Sequence, residues 1–159
     1  MKKPRGRRAI FRRVFVAFAP YGRGVFAKKA IRQGKVVGRI SGQLIGDVEH
    51  GSDYCIDMKG QYCLEPYPPL RYLNHSCEPN CELVEVEADP ECGLSTPTLW
   101  LDSLRDITEG EQLTIDYSWP ASGSIPCQCG SSKCRGWIVD PEEITQLPTK
   151  DPPEHFTKM

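Results

Sequence analysis

The 159-residue chain lacks any apolar run near the ~20 residues that a membrane-spanning helix requires. The stretch Val14-Phe15-Val16-Ala17-Phe18-Ala19 follows seven basic residues but is only six residues long. A signal core runs to ~7–15 residues, and Pro20-Tyr21-Gly22-Arg23 ends this stretch without a cleavage site. It is therefore read as a strand, and the chain as intracellular, cytoplasmic or nuclear, with no membrane association. Net charge is small, at −1, so whole-molecule charge says little about partners. Sustained helical periodicity and internal repeats are absent too, so nothing in the pattern suggests a long helix.

What the sequence does have is punctuation. Fourteen glycines and fourteen prolines divide it into short pieces. Strands are expected over 13–19, 24–30, 36–40, 43–45, 54–58, 62–65, 99–104 and 111–117, with a turn or two of helix near 69–73. The expected fold is mainly β, an α+β chain with few short helices, in one compact domain. Proline and charge beyond Asp140 suggest a loose tail over 140–159.

Charge is unevenly spread. Residues 1–11 form a basic arm, with Lys2, Lys3, Arg5, Arg7 and Arg8, and Arg12 and Arg13 extend it. Glu82, Glu85, Glu87, Asp89 and Glu91 form an acidic segment without a base. Each is read as a solvated stretch, although the acidic one suits a basic peptide.

Eight cysteines are many for this length. Without an export signal they point to metal in a reducing compartment and away from a disulfide scaffold. Cys127-Gln128-Cys129-Gly130-Ser131-Ser132-Lys133-Cys134 places three thiols in eight residues. A Cys127–Cys129 disulfide would be strained, whereas Gly130 lets the backbone turn so that three thiolates converge as a partial shell for one zinc ion. Spacing leaves the fourth ligand open among Cys77, Cys81, Cys92, Cys55, Cys63 and the histidines.

The segment Asn74-His75-Ser76-Cys77-Glu78-Pro79-Asn80 is dense in reactive side chains. Taken alone it reads as an asparagine-rich turn, or less naturally as a Cys–His nucleophile pair. It matches the asparagine-histidine-x-cysteine-x-proline-asparagine signature of SET-domain protein-lysine methyltransferases. Gly110-Glu111-Gln112-Leu113-Thr114-Ile115-Asp116-Tyr117 resembles the second signature of that family, and Tyr21-Gly22-Arg23-Gly24-Val25-Phe26-Ala27 its N-terminal glycine motif. Cys127-Gln128-Cys129 with Cys134-Arg135-Gly136-Trp137 is similar to its post-SET zinc module. The four occur in family order across about residues 12–138. The resemblance implies a SET domain over 12–119, with short curved sheets and a threaded C-terminal segment, and a post-SET module over 120–139. No cysteine-rich pre-SET region is read ahead of residue 12.

Further expectations follow from the resemblance. S-adenosylmethionine is the implied methyl donor, approached by the backbone of Gly22, Arg23 and Gly24 and bound by Asn74 and His75. Arg71 braces that segment, and Trp137 lies near the adenine. Tyr117 and Tyr54 match the catalytic tyrosines, and with Ile115 they line the lysine channel. Tyr54 is the looser match and reads equally as a core tyrosine. Ile115 stands where phenylalanine or tyrosine is frequent, which leaves room for a methylated amine and implies products beyond monomethyl-lysine; plain core packing is the other reading. The family nominates Cys77 as the fourth zinc ligand, with Cys81 as rival. The implied partner is a lysine-containing protein or peptide, such as a histone tail or another basic protein. Direct nucleic-acid binding is disfavoured because no base-reading motif accompanies the thiols. A catalytically silent, zinc-containing protein-binding module is the competing reading; cofactor binding separates the two.

Overall fold

The computed structural model describes residues 10–46, 50–59 and 62–149. Residues 1–9 of the expected basic arm and 150–159 of the expected tail lie outside them. Twelve short strands run in order among the described residues: β1 (Val14–Ala19), β2 (Gly22–Ala27), β3 (Val36–Ile40), β4 (Gly42–Ile45), β5 (Ile56–Asp57), β6 (Cys63–Pro66), β7 (Asn74–His75), β8 (Cys81–Val86), β9 (Thr98–Ser103), β10 (Gln112–Ile115), β11 (Ile125–Pro126) and β12 (Trp137–Ile138). The helical elements that lie wholly among the described residues are three-residue 3-10 turns, so the strand-rich class expected from the punctuation holds. No described helix is long and apolar enough to cross a membrane.

The chain divides into two compact units. The first comprises the chain up to Asn74 together with Asn80–Thr114; the second comprises His75–Pro79 with the chain from Ile115 onward. This partition differs from the expected split near residue 120, because the boundary passes through β7 and the end of β10.

In the first unit, β1 and β2 form a hairpin in antiparallel register from Val14↔Ala27 to Ala19↔Gly22. The stretch with the superficial look of a signal core is thus β1. Val14 is buried and alternation turns Phe15 to the opposite, exposed face, while Phe18, on the face of Val14, is exposed toward the hairpin end. Gly22 closes the hairpin at φ +111°, a backbone region that a side chain disfavours. The other edge of β2 takes β10, with Gln112 opposite Phe26 and Leu113 opposite Val25.

A second sheet has the order β3-β9-β8. Its central strand buries Leu99 and Leu101, against Val37 and Ile40 of the buried set. Full burial of a side chain such as Leu101 contributes roughly 1.5–3 kcal/mol. β8 is a strand where a solvated loop is expected: Glu82 and Glu85 pair along β9 from Cys81↔Ser103 to Val86↔Thr98, while Glu82, Glu87, Asp89 and Glu91 are exposed. A third sheet has the order β4-β6-β5. At its edge a Cβ on Gly42 would lie 2.3 Å from the carbonyl oxygen of Glu65, so only glycine fits.

In the second unit, β11 and β12 pair antiparallel, and Cys127 and Val139 are buried. Residues 140–149 are more ordered than the loose tail expected there. They include a 3-10 turn at Ile144–Gln146, and Glu143 accepts the Ala121 N–H at 2.7 Å. Trp137 Nε1 donates to Pro148 O at 3.2 Å.

Candidate functional site

Within the first unit, Asn74 Nδ2 donates to Arg23 O at 3.0 Å. One bond thus brings together two motifs separated by fifty residues, and it holds the asparagine against the glycine hairpin. Gly22 and Arg23 are exposed there, and a Cβ at Gly22 would meet nothing within 4 Å, so this backbone is open to a ligand. Arg23 Nη1 donates to the Tyr72 hydroxyl at 3.1 Å, with its guanidinium 5.3 Å from that ring's centroid. Tyr72 meets Tyr54 edge to face at 6.3 Å, and Arg71 lies over the Tyr54 ring at 4.1 Å. The structure therefore assembles Arg23, Arg71, Asn74 and Tyr54 in one unit. It adds Tyr72, which the sequence reading passed over although it stands between Arg71 and the signature. Tyr54 is 42% exposed, which rules out the core-tyrosine reading, and it precedes β5 instead of lying within a strand.

Within the second unit the centre is His75, which is buried. Its Nδ1 accepts the Tyr117 N–H at 3.1 Å, so the ring proton sits on Nε2, which faces Cys77 Sγ at 3.4 Å. Burial pushes the imidazole below its ordinary range, partly offset by Asp116 at 3.5 Å. His75 is therefore a neutral spacer between a thiol and the Tyr117 backbone. The His75 and Tyr117 rings are 5.4 Å apart, and Trp119 lies another 5.4 Å beyond Tyr117.

Tyr117 does not continue β10 as expected. Asp116 accepts the Ser118 N–H at 3.0 Å in an Asx-type turn, and Ser118 takes φ +47°, so the strand ends at Ile115. Alternation along an extended strand accordingly stops short of Tyr117, while Ile115 is buried as that pattern requires. Arg135 reaches the Asp116 carboxylate at 2.8 Å and Val139 O at 3.0 Å, while its own N–H donates to Cys77 Sγ at 3.4 Å.

Four thiols converge beside this network. The sulfurs of Cys77, Cys127, Cys129 and Cys134 lie within 4.8 Å of one another. A tetrahedron with ~2.3 Å zinc–sulfur bonds has edges of about 3.8 Å, and Cys77 and Cys127 stand at 3.7 Å. Burial pushes the Cys77 thiol up to about 11 and that of Cys127 upward as well. Burial acts the same way on Cys129, yet N–H donors from Cys77 and Ser131 hold it at about 7. Gly136 N–H donates to Cys134 Sγ at 3.4 Å. Four soft donors with N–H groups aimed at their sulfurs suit a zinc thiolate centre. Cys81 is not in the group; it is buried in the first unit, with its thiol raised to about 12 by desolvation.

The comparisons with known proteins agree with this architecture. The SET domain pattern matches residues 22–118, and the chain belongs to the SET domain family. It is 33% identical over 139 residues to human "Histone-lysine N-methyltransferase 2B", covering 76% of this chain and 5% of that protein. It is 36% identical over 107 residues to "Histone-lysine N-methyltransferase ash1" of Drosophila melanogaster, covering 63% of this chain and 4% of that protein. The chain therefore spans about a twentieth or less of the length of these relatives. Among solved structures, KRYPTONITE in complex with mCHH DNA, an H3(1-15) peptide and SAH has a TM-score of 0.64 at 23% identity, covering 79% of this chain and 29% of that one. A KRYPTONITE complex with mCHG DNA and SAH has a TM-score of 0.65 at 22% identity, covering 77% of this chain and 28% of that one. At that identity the likeness concerns the fold.

Proposed function

We propose that this chain transfers methyl groups from S-adenosylmethionine to the ε-amine of a lysine in a protein, with a histone tail as the substrate class to test first. The observation that carries this reading is the bond from Asn74 to the Arg23 carbonyl, which joins the signature to the glycine hairpin as a cofactor-binding backbone requires. The histone-lysine methyltransferase names of the relatives and the SAH in the KRYPTONITE complexes support the same chemistry.

S-adenosylmethionine, when bound, supplies an electrophilic sulfonium methyl to a neutral amine. By resemblance, Gly22, Arg23 and Gly24 offer backbone to it, with the Asn74 amide holding that segment, and Asn74 and His75 bind it, His75 as a binding residue and not as a proton shuttle. By resemblance, Tyr117 and Tyr54 are each assigned to orient the lysine and exclude water. A dry aromatic channel disfavours the ammonium, whose ordinary pKa is near ~10.4, and so delivers the amine uncharged. Alignment then supplies much of the acceleration. Ile115 presents no hydroxyl to hold water beside the amine, so reaction past the monomethyl stage is expected. Mass spectrometry that finds only monomethyl-lysine at full turnover overturns that part.

Cys77, Cys127, Cys129 and Cys134 are the residues to hold zinc, whose contribution is structural: it fixes Cys77, and through it His75 and the backbone of Tyr117. Trp137 is placed near the adenine by resemblance only. Eight free cysteines are consistent with a reducing cytoplasmic or nuclear location.

The test is binding of labelled S-adenosylmethionine to the full chain, followed by methyl transfer to histone H3 peptides and to proteins of the native cell. Tyr117→Phe should retain donor binding and lose turnover on the order of 10²-fold. No affinity for the donor in a metal-replete chain would leave the silent protein-binding module as the better account.

A further inference from the structure

A second group of metal-binding side chains converges in the first unit, apart from the thiol tetrad. Cys63 and Glu65 are two residues apart on β6 and share a face of the β4-β6-β5 sheet. The register Ile56↔Leu64 and Asp57↔Cys63, continued by one residue, sets Cys55 across from Glu65. His50 joins from the connection ahead of β5, with its Nε2 3.4 Å from Glu65 Oε2. Ligand atoms of His50, Cys55 and Glu65 all lie within 4.8 Å of one another. Burial raises the Cys55 thiol, the Cys63 thiol acts on it in the same direction, and Cys63 lies two residues from Glu65 on the same face of β6.

We propose that His50, Cys55 and Glu65 form a second, more labile zinc site, with the fourth position open to water or to Cys63. A mixed nitrogen, sulfur and oxygen set suits zinc, whereas calcium and magnesium take oxygen alone. Three protein ligands with one open position differ from the closed four-thiolate arrangement near the C-terminus. The partly exposed His50 and Glu65 give the ion an entry path; their side chains are 34% and 20% accessible.

The far oxygen of Glu65 supports the assignment. Oε1 takes the Arg71 guanidinium at 3.3 Å, leaving Oε2 turned to His50, so Arg71 orients the carboxylate as an outer-shell partner does. The positive charge of Arg71 also opposes a dication, which makes this site weaker than the tetrad. Arg71 lies over Tyr54, so an ion held by Glu65 would steady the side of the candidate site that carries that ring. The assignment does not depend on the methyltransfer reading.

The experiment is a zinc titration of the full chain followed by native mass spectrometry, with cobalt substitution in parallel. Two zinc ions per chain are expected, and the second should be lost to a mild chelator before the first. His50→Ala and Glu65→Gln should each bind one ion with an unchanged circular dichroism spectrum, whereas Cys129→Ser should leave the weaker ion in place. In the wild-type chain the second cobalt equivalent should add the thiolate charge-transfer absorption of one or two sulfurs, a readout independent of any variant. A single equivalent in the wild type overturns the proposal, as does a second equivalent that survives both His50→Ala and Glu65→Gln, or one without thiolate absorption.

Discussion

Asn80, the last residue of the signature, shows how one side chain can act as a structural clasp. It is 1% exposed. Its Nδ2 donates to Glu111 Oε1 at 3.1 Å and Gln112 O at 2.8 Å, and its Oδ1 accepts the Thr114 N–H at 2.9 Å. The amide thus fastens β10 as another strand would. Asn80→Ala should destabilise the fold by about 2–4 kcal/mol in urea unfolding, because it strands buried backbone groups of β10. A change below about 0.5 kcal/mol would mean that water replaces the amide. Sequence spacing marked Asn80 as part of a signature but could not separate this structural asparagine from Asn74, whose amide reaches the glycine hairpin.

At the scale of elements, the turn leading into β10 carries a pH dependence. Burial would raise the Glu111 carboxyl, but Arg105 at 2.6 Å, the Thr108 N–H and Asn80 outweigh it and hold it at about 2. The folded pKa lies below its ordinary 4.5, so this contribution is complete above about pH 4.5 and is lost as pH falls toward 2. After solvent screening it amounts to on the order of 1–2 kcal/mol. Glu111→Gln should flatten that part of the stability–pH profile; an unchanged slope between pH 4.5 and 2 would refute the assignment.

The third sheet makes a separate prediction. Gly42→Ala drives a methyl into the Glu65 carbonyl, a backbone atom that cannot swing away, and should cost about 2–3 kcal/mol in thermal or urea unfolding. The strands themselves were unevenly legible. β1 and β3 show in their branched and aromatic residues. β8 does not, because its glutamates look like a solvated loop until pairing with β9 leaves Leu83 and Val84, on opposite faces of the strand, each half-buried.

For the molecule as a whole, the thiol tetrad is where the two segments of the second unit meet. Cys77 comes from residues 75–79 and the other three thiols from the C-terminal stretch. A bound ion would therefore cross-link two segments about fifty residues apart. Chelation should abolish hydrogen-exchange protection over 75–79 and 115–149 while the amides of β3, β9 and β8 stay protected. Equal protection in both units after complete metal removal would show that the tetrad is not what maintains the fold there. Trp119 and Trp137 lie in the second unit and Trp100 on β9, so fluorescence of single-tryptophan variants offers an independent check.

The sequence by itself determined the family, the strand-rich class and three of the clustered thiols, because these reside in local spacing: turns at glycine and proline, short alternating runs, and a motif whose order along the chain is its own signal. Tertiary structure decided the rest. It chose Cys77 over Cys81 for the cluster, turned Tyr117 out of its strand, brought Tyr72 to Arg23 and set His50 beside Cys55 and Glu65. Each of these depends on which distant segments pair and in what register, and a one-residue slip in register moves every side chain of a strand to the opposite face.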